Sequence, residues 1–317
     1  MSASHRRMAD PLPTVSIVVP TFARPAELRR CLDGIARLEA ATFSFEVVVV
    51  DDGGPEPLDT LIESYADGLD IRLIRQSRAG PAAARNAGAD LARGVFLAFI
   101  DDDCTPAPDW LSTLVRELER DDRRLLGGRV ENALIENPYS TASEHISGFV
   151  YEYNRTAGAR EPFFTTNNIA LAADLFRAVG GFETSIPSAT AEDKEFCHRW
   201  VAHGLALTHV PSVVVHHAHE LTFARFLRQH FDYGRGILTF RLIRRRRAGS
   251  PFVPEPLKFY TDLVLSPMHR PSSVGRLRLT ALVVAAQLAT LVGALREALT
   301  WPWSIRARDA NRRVGRT

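Results

Sequence analysis

Short apolar runs alternate along the chain with longer stretches whose apolar residues recur every three or four positions. Residues 15–19 (VSIVV), 46–50 (EVVVV) and 95–100 (VFLAFI) are runs of strand length. Such runs, bounded by turn residues, read as buried strands. Between and after them, residues 25–38, 57–65, 81–92 and 108–118 hold helix formers with apolar positions at helical spacing, and each stretch opens with a proline. Proline is tolerated in the first helical turn, where its missing N–H costs nothing. The regular alternation predicts an α/β protein, with a Rossmann-like, mostly parallel sheet and flanking helices. The ligand face of such a sheet lies at the C-terminal ends of its strands.

Two of these strand ends carry carboxylates. Residues 46–50 lead into Asp51-Asp52-Gly53-Gly54, and residues 95–100 lead into Asp101-Asp102-Asp103. Three adjacent carboxylates repel one another unless a cation lies between them. Hard oxygen ligands suit Mg2+ or Mn2+ carrying a phosphorylated ligand. The triplet reads equally as an acidic turn before the next helix, and Asp51-Asp52 as a turn with Gly53.

Composition narrows the class. The 317 residues are 45% hydrophobic, enough for a large core. Cys31, Cys104 and Cys197 are too few and too scattered for a disulfide framework or a zinc site, which fits a reducing cytoplasm. Residues 1–13 hold no apolar run of signal-peptide length. The net charge of +2 hides an asymmetry. Residues 1–218 carry 21 Lys and Arg against 31 Asp and Glu, a balance of −10, whereas residues 219–317 carry 18 against 6, a balance of +12. Two surfaces with different partners are implied.

In order along the chain, SIVVPTFARP, EVVVVDDGG, GPAAARNAGADLARGVFLAFIDDDCTP, TTNNIALAADLFRAVGGF, AEDKEFCHRW and VPSVVVHHAHE resemble the motifs of glycosyltransferase family 2. The resemblance covers residues 14–220 and rests on six segments in the right order. It implies a GT-A fold and an inverting transfer of sugar from a nucleotide-sugar donor to a hydroxyl acceptor, assisted by Mn2+ or Mg2+. The chain would then divide into a flexible N-terminus at 1–13, a GT-A catalytic domain at 14–220 and a basic helical extension at 221–317.

The resemblance also assigns roles. Pro20, Thr21, Phe22 and Arg24 after the first strand, with Asp52 and less directly Asp51, match donor-binding positions. An aspartate accepts the imide N–H of uracil or thymine, which favours UDP or dTDP. Arg85 matches an arginine near the donor. The triplet matches the DXD element: Asp103 fits the direct metal ligand, while Asp101 or Asp102 would hold the ribose or a metal-bound water. His217, six residues after Pro211, matches a histidine that can complete the metal site. Asp193 is the expected base. It shares a helical face with Phe196 and Cys197 and sits in a first turn, where the helix dipole favours the ionised carboxylate. Glu192 is expected to point elsewhere and to hold the acceptor, with Asn167 and Asn168 near it. Gly180-Gly181-Phe182 reads as a helix cap with an anchoring aromatic, and residues 183–191 as a loop that closes over the donor.

Beyond residue 220 the motifs end. Phe223, Phe226, Leu227, His230 and Phe231 form one helical stripe, to which no chemistry is assigned. Leu277, Ala281, Val284, Leu288, Leu291 and Leu295 keep heptad spacing. The most apolar stretch, residues 279–295, has 17 residues, at the short end of the roughly 17–25 that a membrane span needs. A helix packed on the domain or on a homodimer partner, a helix on an anionic membrane surface, and a span all remain open. With Arg244-Arg245-Arg246-Arg247 and the arginine-rich tail, the expectation is a cytoplasmic enzyme peripheral on the inner membrane face, acting in polysaccharide or glycolipid synthesis. Its acceptor would be a glycan, a glycolipid or a small molecule. No nucleic acid is expected as a partner, because no binding motif accompanies the arginines. A sugar nucleotidyltransferase would need a glycine-rich phosphate loop, where this chain has Pro20-Thr21-Phe22-Ala23-Arg24. An inactive nucleotide-sugar-binding module would not need Asp103 and Asp193.

Overall fold

The computed structural model describes residues 12–156, 163–186, 190–248, 255–269 and 273–314. The expected flexible N-terminus, up to residue 11, lies outside the described residues, as do residues 187–189 of the expected closing loop. The first half alternates as its pattern requires: β1 (Val15–Thr21), α1 (Pro25–Ile35), β2 (Phe45–Asp51), α2 (Asp59–Glu63), β3 (Ile71–Arg75), α3 (Pro81–Leu91) and β4 (Phe96–Phe99). β1 pairs in parallel with β2 and β4, and β2 with β3. β1 and β4 are buried throughout, and β2 from Glu46 onward. Strands covered on both faces read as continuous apolar runs rather than alternating ones. Pro25 and Pro81 open α1 and α3, whereas Pro57 and Pro108 each stand two residues ahead of the helix that follows.

The second half is mixed. β5 (Cys104–Pro106), α4 (Trp110–Arg120), β6 (Arg124–Asn132), α5 (Pro138–Thr156), β7 (Ile169–Ala172), α6 (Ala173–Val179), α7 (Glu192–Ala202) and β8 (Ala206–His217) complete an eight-stranded sheet of order β3-β2-β1-β4-β7-β6-β8-β5. β7 runs antiparallel to β4 and β6, and β8 runs parallel to β6 and antiparallel to β5. Gly180 caps α6 at φ +95°, a left-handed conformation that favours glycine. Phe182 then packs against Phe99, Phe176 and Phe196, as the sequence implied.

The basic C-terminal region forms α8 (Phe223–Ala248), α9 (Leu257–Leu265) and α10 (Arg276–Val314). Phe226, Phe259, Leu263, Leu279, Val283 and Ala286 share a core with Ala142 and Ile146 of α5. The heptad positions of α10 are not the packed face. Leu277, Ala281, Val284, Leu288, Leu291 and Leu295 are exposed. The packed side instead uses Leu279, Leu282, Val283 and Ala286, and then Gly293 at a close crossing with α8. There a methyl on Gly234 would collide with the Thr290 carbonyl oxygen, and one on Gly293 with that of Phe231. The crossing therefore depends on two absent side chains.

Overpacking costs about 1–3 kcal/mol, so Gly234→Ala and Gly293→Ala should each lower the thermal midpoint. Gly148→Ala on α5, where the added methyl meets nothing within 4 Å, should hold or raise it, because alanine is the better helix former by roughly 0.5–1 kcal/mol. Scanning calorimetry of the three variants checks the contrast.

Candidate active site

Sheet register brings the strand-end carboxylates together. Val18 of β1 lies beside Phe99 of β4, so three residues further on Thr21 stands level with Asp102. Thr21 Oγ1 donates to Asp102 Oδ2 at 2.7 Å. The chain then turns through Ala23, at φ +53°, and Arg24 folds back over the triplet. Its Nη2 lies 2.6 Å from Asp102 Oδ1 and its Nη1 2.8 Å from Asp103 Oδ2. Arg85 of α3, buried rather than solvated, bridges two elements. Nη2 lies 2.6 Å from Asp101 Oδ1 and Nη1 lies 3.1 Å from Glu192 Oε1 in the first turn of α7. Burial opposes the Arg85 charge, but Asp101 and Glu192 outweigh it and keep the guanidinium protonated.

β8 supplies the histidines. Its antiparallel register sets His217 opposite Cys104, and His217 Nε2 reaches to 3.3 Å from Asp103 Oδ1. Burial alone would raise the Asp103 carboxyl. The His217 hydrogen bond, with the charges of His217 and Arg24, instead holds it well below the usual carboxylate range. His219 lies near His217 with ring centroids 5.2 Å apart and the rings tilted, on the same face as alternation requires. His216 leaves the group and faces Glu131.

Asp103, Cys104 and His217 present ligand atoms within 4.8 Å of one another. The Cys104 thiol is fully buried, and burial, then the Asp103 charge, push it well up. The remaining carboxylate and imidazole suit Mn2+, with Asp101 at the cavity edge. Asp102 differs from its expected role. It is fully buried, engaged by Thr21 and Arg24, and pushed up to about 7 chiefly by burial. It braces the loop rather than facing a ligand.

A cavity of about 880 Å³ opens between these groups, bounded at one end by Arg24, Arg85, Asp101, Asp103, Asp193 and His217. Glu192 also lines it. Contrary to the helical-face argument, Glu192 is the more deeply buried of the acidic pair and points inward to Arg85, while Asp193 is partly exposed in the cavity. At a first turn facing a cavity both neighbours can line it, which periodicity alone misses. Enclosure, and then the Glu192 charge, push the Asp193 carboxyl up to about 7.

The other expected residues divide. Asn167 lines the cavity and its Oδ1 accepts from Thr165 Oγ1 at 2.7 Å. Asn168 does not face an acceptor: its Oδ1 accepts from Trp110 Nε1 and its Nδ2 donates to the carbonyls of Arg129 and Val213. It pins α4, β6 and β8 together. Asp51 is likewise structural, accepting from Gly54 N at 2.7 Å and from Arg75 Nε at 2.9 Å. Asp52 Oδ1 accepts from Gln76 Nε2 and Ala79 N, and Oδ2 from Gly80 N. Pro20 and Thr21 are buried, and the Phe22 ring lies under the Arg78 guanidinium at 3.9 Å. Sequence reasoning missed Gln229, His230 and Tyr233 of α8 and Tyr151 of α5, all of which line the cavity. The signal lay in polar residues at positions 229, 230 and 233, one helical turn inside an aromatic stripe.

Known proteins resemble this chain. It is 27% identical over 241 residues to the glycosyltransferase AglE of Haloferax volcanii, covering 75% of this chain and 77% of that protein. It is 32% identical over 225 residues to a validoxylamine A glucosyltransferase of Streptomyces hygroscopicus, covering 62% of this chain and 53% of that one, about half its length. Its fold matches the mannosyltransferase PcManGT of Pyrobaculum calidifontis, solved in complex with GDP-Man and Mn2+. The TM-score is 0.60 at 21% identity, over 93% of this chain and 84% of that one. The profile of Glycosyl transferase family 2 matches residues 16–180, more than half of the chain. With β1 to β4 and the Asp101–Asp103 triplet inside the match and GT-A architecture around them, the protein belongs to glycosyl transferase family 2.

Proposed function

We propose that the protein is an inverting, metal-dependent glycosyltransferase that moves a sugar from a nucleoside-diphosphate donor to a hydroxyl acceptor. One observation carries this reading: a single cavity holds both the Asp103–His217 pair and the Asp193 carboxylate. Asp103 and His217 would hold Mn2+ or Mg2+, with Asp101 beside them. A cation bound there offsets the negative charge of the departing diphosphate. Arg24 and Arg85 orient the donor through its phosphates. Asp52 Oδ2 holds one hydrogen bond, from Gly80 N, and so keeps a lone pair for the imide N–H of uracil or thymine. UDP- and dTDP-sugars are therefore favoured. Glu192 acts through Arg85, as a positioning residue, and Asn167 stands on the acceptor side.

The chemistry is one displacement. Asp193 takes the proton of the acceptor hydroxyl as that oxygen attacks the anomeric carbon. The new carbon–oxygen bond forms while the bond to the diphosphate oxygen breaks on the opposite face, which inverts the centre. A carboxylate whose affinity for protons is raised toward neutrality is a better base than an ordinary one.

The C-terminal region supports a place for this reaction. Arg276–Thr300 is 25 residues long, with an 18-residue stretch of mean hydropathy 1.7, enough in length and composition to cross a membrane. One side of it is buried against α5, α8 and α9, while Arg245, Arg246, Arg276, Arg278 and Arg296 are exposed. A helix packed in this way lies on an anionic cytoplasmic membrane face more readily than it spans the bilayer.

A screen of UDP-, dTDP- and GDP-sugars with Mn2+, read by release of nucleoside diphosphate, tests the class; no release from any of them would count against it. Asp103→Ala should abolish transfer and strip the Mn2+ dependence from donor binding in calorimetry. Asp193→Asn should lower turnover by roughly 10²-fold or more while donor affinity is kept. Because Asp193 must be ionised to act and its proton affinity is raised, wild-type turnover should fall as pH drops through about 7, and the residual turnover of Asp193→Asn should lack that limb. Anionic vesicles should co-sediment the protein at low salt and release it as salt rises; no co-sedimentation, with dimers formed through residues 277–299, would favour packing over docking.

A further inference from the structure

The active-site cavity does not end at the carboxylates. From Asp193 it continues past Gln229, His230 and Tyr233 of α8 and on to Phe259, Tyr260 and Leu263 of α9 and Leu288 and Leu291 of α10. The α8 wall is largely polar and also carries Arg241, paired with Glu255 at 3.1 Å, whereas the α9 and α10 walls are mainly aromatic and aliphatic. In the middle stretch, Tyr233 donates no bond to the carboxylates; its hydroxyl accepts from Gln229 Nε2 at 2.6 Å. Gln229 Oε1 and His230 Nε2 are buried and have no hydrogen-bond partner. Buried polar atoms without partners are costly, and in native proteins each calls for a ligand or another explanation.

The far end is open. Leu288 is 59% exposed and Leu291 55%, and both line the cavity. They also belong to the outer stripe of α10 with Leu277, Ala281, Val284 and Leu295. The mouth of the cavity therefore opens onto an unbroken apolar helix face. Exposed arginines stand at the ends of that face, Arg276 and Arg278 at one and Arg296 at the other. An apolar stripe ending in basic side chains complements a bilayer with anionic headgroups.

Building on the transferase reading, we infer that the acceptor is amphipathic: its hydroxyl-bearing head lies at Asp193 and against Gln229 and His230, and a long hydrocarbon tail runs along α9 and α10 and leaves past Leu288 and Leu291 into a membrane. A purely polar glycan would leave the α9 and α10 walls wet and would need no such exit. A tail buried there removes apolar surface of both partners from water, and the carboxylates at the inner end admit only the polar head. The geometry thus selects a lipid-borne acceptor and fixes the order in which head and tail enter.

The test uses the full-length protein with methyl and dodecyl β-D-glucoside, the latter below its micelle concentration, as probes in calorimetry. UDP, dTDP and GDP, each with Mn2+, are titrated in parallel. The wild type should bind the dodecyl compound about tenfold or more tightly than the methyl compound, because added buried methylenes strengthen binding. Leu288→Glu and Tyr260→Ser, each at a half-exposed wall position, should erase most of that difference. Leu277→Glu, on the same outer stripe but away from the cavity, should keep it. Equal affinity for the two probes in the wild type overturns the inference, as does a difference that survives Leu288→Glu and Tyr260→Ser or vanishes in Leu277→Glu, since adhesion to the outer stripe would then explain it. Nucleotide binding separates the two levels. Any of the three nucleotides bound with no tail-length effect removes the lipid acceptor alone, and no binding of any of them removes the transferase reading beneath it.

Discussion

Charge compensation at the strand ends organises this molecule. Asp101, Asp102, Asp103, Glu192 and Asp193 converge on one small volume, with Arg24, Arg85 and His217 among them. Carboxylates gathered away from water without counter-charges would protonate or push the elements apart. Each arginine answers two carboxylates. Arg24 pairs with two neighbours in one loop, whereas Arg85 pairs across two elements far apart in sequence. The β1–β4 register, the left-handed turn at Ala23 and the approach of α7 to α3 all serve this neutralisation. Arg24 is the looser of the two, its side chain 42% exposed against 4% for Arg85. The first can yield to an incoming cation or phosphate, and the second holds the frame.

The first half of this architecture was legible because its strands are buried on both faces. Such strands appear as unbroken apolar runs, and the carboxylates closing them stand out against that background. β3 escaped notice because IRLIR is short and two arginines break its apolar run, so it shows neither a continuous apolar stretch nor clean alternation. β6 and α5 escaped because Gly127 and Gly128 interrupt one and its mixed polarity blurs the other. At the site, chemistry alone could not tell Asp102 from its neighbours. Only the pairing of Thr21 with it reveals which of three adjacent aspartates turns inward. Asn168 illustrates the same limit. An amide near a sugar site and an amide pinning three elements look identical in a string, and the indole of Trp110 decides between them.

The C-terminal helices carry a different lesson about periodicity. The heptad of α10 is regular and apolar, yet it faces outward. The buried side packs Leu279, Leu282 and Val283 and then narrows to Gly293, where α8 crosses close enough to exclude side chains. A seam of leucines in a sequence does not by itself say which side of a helix its own fold will bury. Here the closest intramolecular contact is made by absence of bulk, and the bulky face stays exposed.

The Arg85–Glu192 pair has a consequence for how such a protein can diversify. The stretch that carries the family signature includes Arg85 and Asp101 but ends before Glu192, Asp193 and His217. Any change to the segment beyond it meets this ion pair first. It must deliver a carboxylate to the first turn of the incoming helix, or leave one side of a buried guanidinium unpaired, with Asp101 as its remaining partner. The pair thus acts as a compatibility lock between the stretch that carries the family signature and the segment that follows it, and a chain that breaks it carries that penalty whatever its chemistry.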